Sequence, residues 1–178
     1  MKRFAFVLAA SLAIVVAGCS RPADLVETAA VEAPAAGSGL SAVFVGEEPA
    51  GAIGVIALKQ SDAESNVVVT GIIGGREAPF VAERAMFTLS DAGIEYCRAD
   101  ESCETPWDAC CNPPEEIIAS MITVQVTDAE GNVLRENAKG VNGLLPMARV
   151  TVRGDVVQRS DEVVTVSAQE IFVHPTGE

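Results

Sequence analysis

Ile117-Ile118-Ala119-Ser120-Met121-Ile122-Thr123-Val124-Gln125-Val126-Thr127 is the stretch that decides the fold class. Ile118, Ile122, Val124 and Val126 fall on one side of an extended chain and Thr123, Gln125 and Thr127 on the other, the period-two pattern of a half-buried strand. Asp128-Ala129-Glu130-Gly131-Asn132 follows at once, and its Asp, Gly and Asn are residues that close turns. The pattern recurs on both sides. Residues 66–73 set Val67, Val69 and Ile73 to one face before Gly74-Gly75 breaks the run. Ala85, Phe87 and Leu89 alternate with Arg84, Met86 and Thr88 and stop at Asp91-Ala92-Gly93. Val150, Val152 and Val156 alternate with Arg149, Thr151, Arg153 and Asp155, and Gly154 marks a bulge or bend. Residues 163–173 return on this strand through the short polar connection 158–162, as a hairpin does. Residues 51–60 read as a short helix or an edge strand, Ile56, Leu58 and Lys59 favouring the helix and Gly51 and Gly54 opposing it. The prediction is an all-β domain, a small five-stranded antiparallel barrel, because closing a short sheet on itself removes exposed strand edges. The OB-fold is the commonest architecture with that strand count, and a two-sheet sandwich is the alternative.

The amino terminus carries an address. Lys2 and Arg3 precede an apolar run from Phe4 to Val16, and Val16-Ala17-Gly18 leads into Cys19, the layout of a secretory signal. A bilayer core needs about 20 apolar residues, so this run is too short to remain as a span. The pattern resembles the bacterial lipoprotein box, which implies removal of residues 1–18 and acylation of Cys19, several chains together giving stable anchoring. Ser20 in place of Asp after the cysteine implies, by the same resemblance, the outer membrane. Residues 19–40, rich in Ala, Glu, Pro and Gly, have no helical stripe that survives Pro22, Pro34 and Gly37, and read as a flexible tether. A chain of that length reaches roughly 25 Å. Residues 41–178 then suit one domain.

Charge narrows the partners. Without its first 18 residues the chain carries 10 Lys+Arg against 25 Asp+Glu, a formal charge of −15. The nine basic residues after Leu40 stand singly among 22 acids, whereas binding to a phosphate backbone needs clustered cations. Nucleic acid is therefore an unfavoured partner even for an OB-fold. With only eight aromatic residues in the chain, the core is expected to be aliphatic.

The chemical anomaly lies in an insertion spanning 91–116, between the second and third strands. Cys97, Cys103, Cys110 and Cys111 surround the single tryptophan, Trp107. Four thiols in an oxidising compartment read as two disulfides, with three connectivities open. A bridge between the adjacent Cys110 and Cys111 would be strained, so each is expected to pair with Cys97 or Cys103, in either order. The alternative is zinc or copper(I) held by the four thiolates, or by three with His174. Spacing opposes it: five, six and no residues separate successive cysteines, where zinc sites present C-x2–4-C pairs. No C-x-x-C is present, which weakens a thioredoxin-like role. Trp107 reads as a plug for the barrel mouth or a lid on the cystines, or else, with Asp108, as a ligand contact. Acids crowd the insertion, but no D-x-[DN]-x-[DN]-G loop marks a calcium site.

Val69-Thr70-Gly71-Ile72-Ile73-Gly74-Gly75, Pro79-Phe80, the strand 85–89, the block Thr105-Pro106-Trp107-Asp108-Ala109-Cys110-Cys111 and residues 140–145 together resemble a group of uncharacterised bacterial envelope lipoproteins. The resemblance implies an OB-like domain and brings no activity with it. The patch Gly140-Val141-Asn142-Gly143 stands where many OB-folds place a helix and reads here as a loop. Catalysis has little support, because the lone His174 near the carboxyl terminus suggests no nucleophile–base arrangement and reads as an exposed side chain. The functional expectation is a non-catalytic, lipid-anchored envelope module, without cofactor, that binds a protein, peptide or glycan. The rival is a periplasmic metal or thiol-redox protein that uses the four cysteines.

Overall fold

The computed structural model describes residues 39–97 and 103–175. The expected signal segment, the expected lipidation site Cys19 and nearly all of the expected tether lie outside them, as does the stretch that links Cys97 to Cys103. Six strands are present: β1 (Ile53–Gly54), β2 (Val67–Ile73), β3 (Met86–Ser90), β4 (Met121–Gln125), β5 (Arg149–Arg159) and β6 (Val164–Val173). Two six-residue helices accompany them, α1 (Val55–Gln60) and α2 (Pro114–Ala119). No helix among the described residues is long and apolar enough to cross a membrane.

Five of the strands form a closed ring in the order β2-β3-β4-β6-β5, shut by the pairing of β2 with β5. The all-β barrel expected from the alternating runs is what forms, with one correction: the sheet is mixed. β4 and β6 run parallel, through Thr123↔Thr165, Val124↔Val166 and Gln125↔Ser167, and β1 runs parallel to β2. The reason is parity. Directions cannot alternate all the way round a closed ring with an odd number of strands, so one neighbouring pair must be parallel. Here β5 turns back onto β2, and β6, antiparallel to β5, fills the remaining gap beside β4.

The alternating residues do what the pattern predicts. Val67, Val69 and Ile73 of β2, Ala85, Phe87 and Leu89 at β3, and Ile122, Val124 and Val126 at β4 are all buried in the one core. Phe87 is the single aromatic among the largest fully buried side chains, the rest being Leu, Ile and Val. Gly154 sits at a register shift between β5 and β6. A β-carbon there would collide with the Ser167 carbonyl, so the bend needs a residue without a side chain. Asp128 closes the turn after β4 by accepting backbone N–H bonds from Glu130 (3.1 Å) and Asn132 (2.8 Å).

Two boundaries differ from expectation. Ile117 and Ile118 belong to α2, not to a strand, and Ile118 is exposed. Pro114 begins the helix, where its fixed φ and missing N–H are tolerated, and Glu115 and Glu116 favour the positive end of the helix dipole. Leu40, counted with the tether, is fully buried within a 3-10 turn, Gly39–Val43, so the folded body takes in at least two residues more than 41–178. Residues 51–60 satisfy both readings in succession, as β1 and then α1. Val141–Gly143 form a single 3-10 turn in the loop between β4 and β5.

Candidate functional site

The stretch that carries the cysteines joins β3 to β4, and its two halves are tied to the barrel separately. On the β3 side the Tyr96 hydroxyl lies 2.8 Å from Ser90 Oγ and donates to the Asp91 carbonyl (3.3 Å), while Ser90 Oγ donates to Ile72 O (3.0 Å). On the other side the backbone of Trp107 lies against Gly74-Gly75. Gly75 N donates to Trp107 O (2.8 Å), and a β-carbon on Gly74 would stand 2.7 Å from that same oxygen. The glycine pair that ends the first run is thus also the seat of the cysteine segment. The Trp107 indole N–H donates to Glu77 O (2.9 Å). The Asp108 carboxylate accepts from Ala109 N (2.8 Å), and its carbonyl accepts from Cys97 N (2.7 Å).

That last bond folds the segment back and brings the sulfurs together. Cys97 Sγ lies 3.3 Å from Cys110 Sγ and 4.0 Å from Cys111 Sγ, and the three sulfurs all lie within 4.8 Å of one another. No disulfide joins any of the four in this structure; Cys97 is buried, Cys103 half-buried, Cys110 and Cys111 exposed. The Cys103 thiol contacts Thr105 O at 3.6 Å and is not one of the three clustered sulfurs. The hydrogen bond with Cys110, followed by burial and the neighbouring thiols, pushes the Cys97 thiol up from 9.0 to about 12.

His174 is half-buried rather than exposed as the sequence suggested, and it is not part of the sulfur cluster. Its Nε2 is 2.9 Å from Thr151 Oγ1 and 3.5 Å from Glu48 Oε1, and Thr151 Oγ1 donates to Glu48 Oε1 (2.8 Å). A hydroxyl, an imidazole and a carboxylate meet, but hydroxyl and carboxylate share one ring nitrogen. A relay would need the carboxylate on the opposite nitrogen, and Thr151 is fully buried.

A second feature was not visible in the sequence. A groove of about 380 Å³ crosses the outer face of β3 and β4 over Met86, Thr88 and Thr123. Arg76, Ala78 and Val81 form one wall, Ile118 and Met121 with residues 162–164 the other. Three of its lining residues are exposed apolar side chains: Val81 at 47%, Ile118 at 39% and Val163 at 40%. The second wall is fixed from behind by Lys59, whose ammonium donates to the carbonyls of Ile118 (2.5 Å), Glu162 (3.0 Å) and Met121 (3.4 Å). Burial lowers the pKa of that ammonium. Trp107 and Asp108, the contacts suggested by the sequence, do not line the groove. Its residues come from four separated stretches, and the only sequence signal was an apolar Val81 outside the predicted strands.

Comparison with known proteins returned no match: no family model fits the chain, and no curated protein or solved structure is significantly similar to it.

Proposed function

We propose that the chain is a lipid-anchored binding module of the cell envelope, an OB-like barrel whose groove over β3 and β4 takes an extended apolar segment of a partner polypeptide. The groove carries this reading. Ranked along the chain, the ring strands run first-second-third-fifth-fourth-first with the third and fifth parallel, which supports the OB-like assignment. In OB-folds the face of strands two and three, flanked by the first–second and fourth–fifth loops, is where ligands bind. The groove occupies the corresponding place here, with residues 76–81 on one side and 162–164 on the other. The cysteine-bearing link then occupies the interval between the second and third ring strands.

The lining selects the ligand class. Val81, Met86, Ile118, Met121 and Val163 offer aliphatic and thioether surface, which suits apolar side chains of a peptide. Arg76 and Glu162 are its only charged residues and are of opposite sign, so a phosphate backbone finds no cluster of cations. Sugars are gripped by exposed aromatic faces, and the groove's one aromatic, Phe87, is buried. No step of this role requires catalysis or a cofactor. Acylated Cys19 and the tether hold the barrel at the outer membrane, facing the periplasm.

The test of the groove uses the full acylated chain in detergent to select from a phage-displayed random peptide library. Selected peptides are expected to carry paired aliphatic residues and to lose binding roughly tenfold or more to Val81→Asp and Val163→Asp, with circular dichroism unchanged. Peptides that bind both variants as well as the parent would remove the groove from the reading. Anchoring is tested separately by incorporation of labelled palmitate, expected in the parent and absent in Cys19→Ala; an uncleaved, unlabelled parent overturns it.

A further inference from the structure

We propose that the converging sulfurs of Cys97, Cys110 and Cys111 form a site for one thiophilic d10 cation, zinc(II) or copper(I). Spacing along the chain argued against a metal, and the fold removes that objection. Ligand spacing matters only because it decides whether sulfurs can meet, and here they meet. A tetrahedral ion with metal–sulfur bonds of about 2.3 Å sets its ligands roughly 3.8 Å apart. The distances of 3.3 Å and 4.0 Å from Cys97 to Cys110 and Cys111 straddle that edge.

The arrangement does not depend on sulfur–sulfur bonding. Cys97 is held by its N–H on Asp108 O (2.7 Å). The Cys110–Cys111 corner is held by Asn112, whose side-chain amide donates to Glu95 O (2.7 Å) and Ala109 O (2.8 Å), so that amide also ties the two arms of the segment to each other. One arm brings a buried sulfur and the other two exposed ones, which gives an ion both a water-poor side and a way in. A disulfide from Cys97 engages only one of its two neighbours, whereas one cation engages all three sulfurs. Soft thiolates are the donors that copper(I) and zinc prefer. As each metal–sulfur bond forms, the thiol passes its proton to solvent, and no electron is transferred. Copper(I) is satisfied by the triad, and zinc, which favours four ligands, takes one further donor.

The full chain, purified reduced and without oxygen, is titrated with zinc chloride or with copper(I), and the bound ions are counted by native mass spectrometry after challenge with a chelator. One ion per chain is expected, with retention falling roughly tenfold or more in Cys97→Ser and in Cys111→Ser. Cys111 is exposed, so its variant keeps the test open if the buried Cys97→Ser fails to fold. Three results overturn the site: no ion retained, an ion that persists in both Cys97→Ser and Cys111→Ser, or an isolated chain four protons lighter than its thiol form, the mark of two disulfides. None of these variants lies in the groove, so failure here leaves peptide binding untouched.

Discussion

At the scale of single residues, two positions carry consequences out of proportion to their size. Gly154 lies where β5 steps past β6, and the Ser167 carbonyl fills the space a side chain would need. Gly154→Ala is expected to cost about 1–3 kcal/mol through backbone displacement, read as a lower urea midpoint with an unchanged slope; an unchanged midpoint would show that the bend has room. Asp128 is the second. The N–H of Asn132, with further bonds from the same turn, holds its carboxyl below the usual carboxylate range. Because the folded chain binds this proton less readily than the unfolded one, the turn's contribution is present above the ordinary carboxylate pKa of 3.8 and is lost as pH falls through the folded value. The melting temperature of Asp128→Ala should therefore approach that of the parent as pH drops below about 4, and a gap that stays constant with pH would contradict this.

At the scale of elements, the strands were legible where one face is buried, and burial imposes alternation on β2 and on most of β3. What misled was continuity: Ile117 and Ile118 extend the apolar pattern of β4, yet Pro113-Pro114 followed by Glu115-Glu116 was a visible helix start. The groove was illegible for a different reason. It is made by bringing loops together, and loops carry no period. Similarly, Glu48, Thr151 and His174 meet only after the ring closes. The packing of α1 against α2 and the β5–β6 turn rests on Lys59, whose three carbonyl partners belong to those two segments and to the start of β4. Lys59→Met keeps the apolar stem and removes the charged donor. It is expected to destabilise the fold by about 1.5–3 kcal/mol and to raise amide exchange at residues 160–163 most. Uniform exchange across the barrel would mean that the ammonium braces nothing local.

At the scale of the whole molecule, the barrel and the cysteine-bearing link differ in how they are held. The barrel owns nearly all of the core, while the described link contributes few buried apolar residues beyond Cys97 and Ala109 and relies on backbone bonds to Gly75. Regions with few buried contacts open first. Trp107 lies in the link and reports on it, so its fluorescence should change at lower urea than far-UV circular dichroism. Coincident transitions would make link and barrel one cooperative unit. The order of strands in the ring has a consequence for how the protein comes into being. β2 waits for β5, with Val67 opposite Gly154, and β6 must then slot between β5 and β4. A chain emerging from the ribosome therefore has no route to the finished ring until β6, the ring strand made last, is free to pair on both its edges, and the strands made earlier must stay open until then.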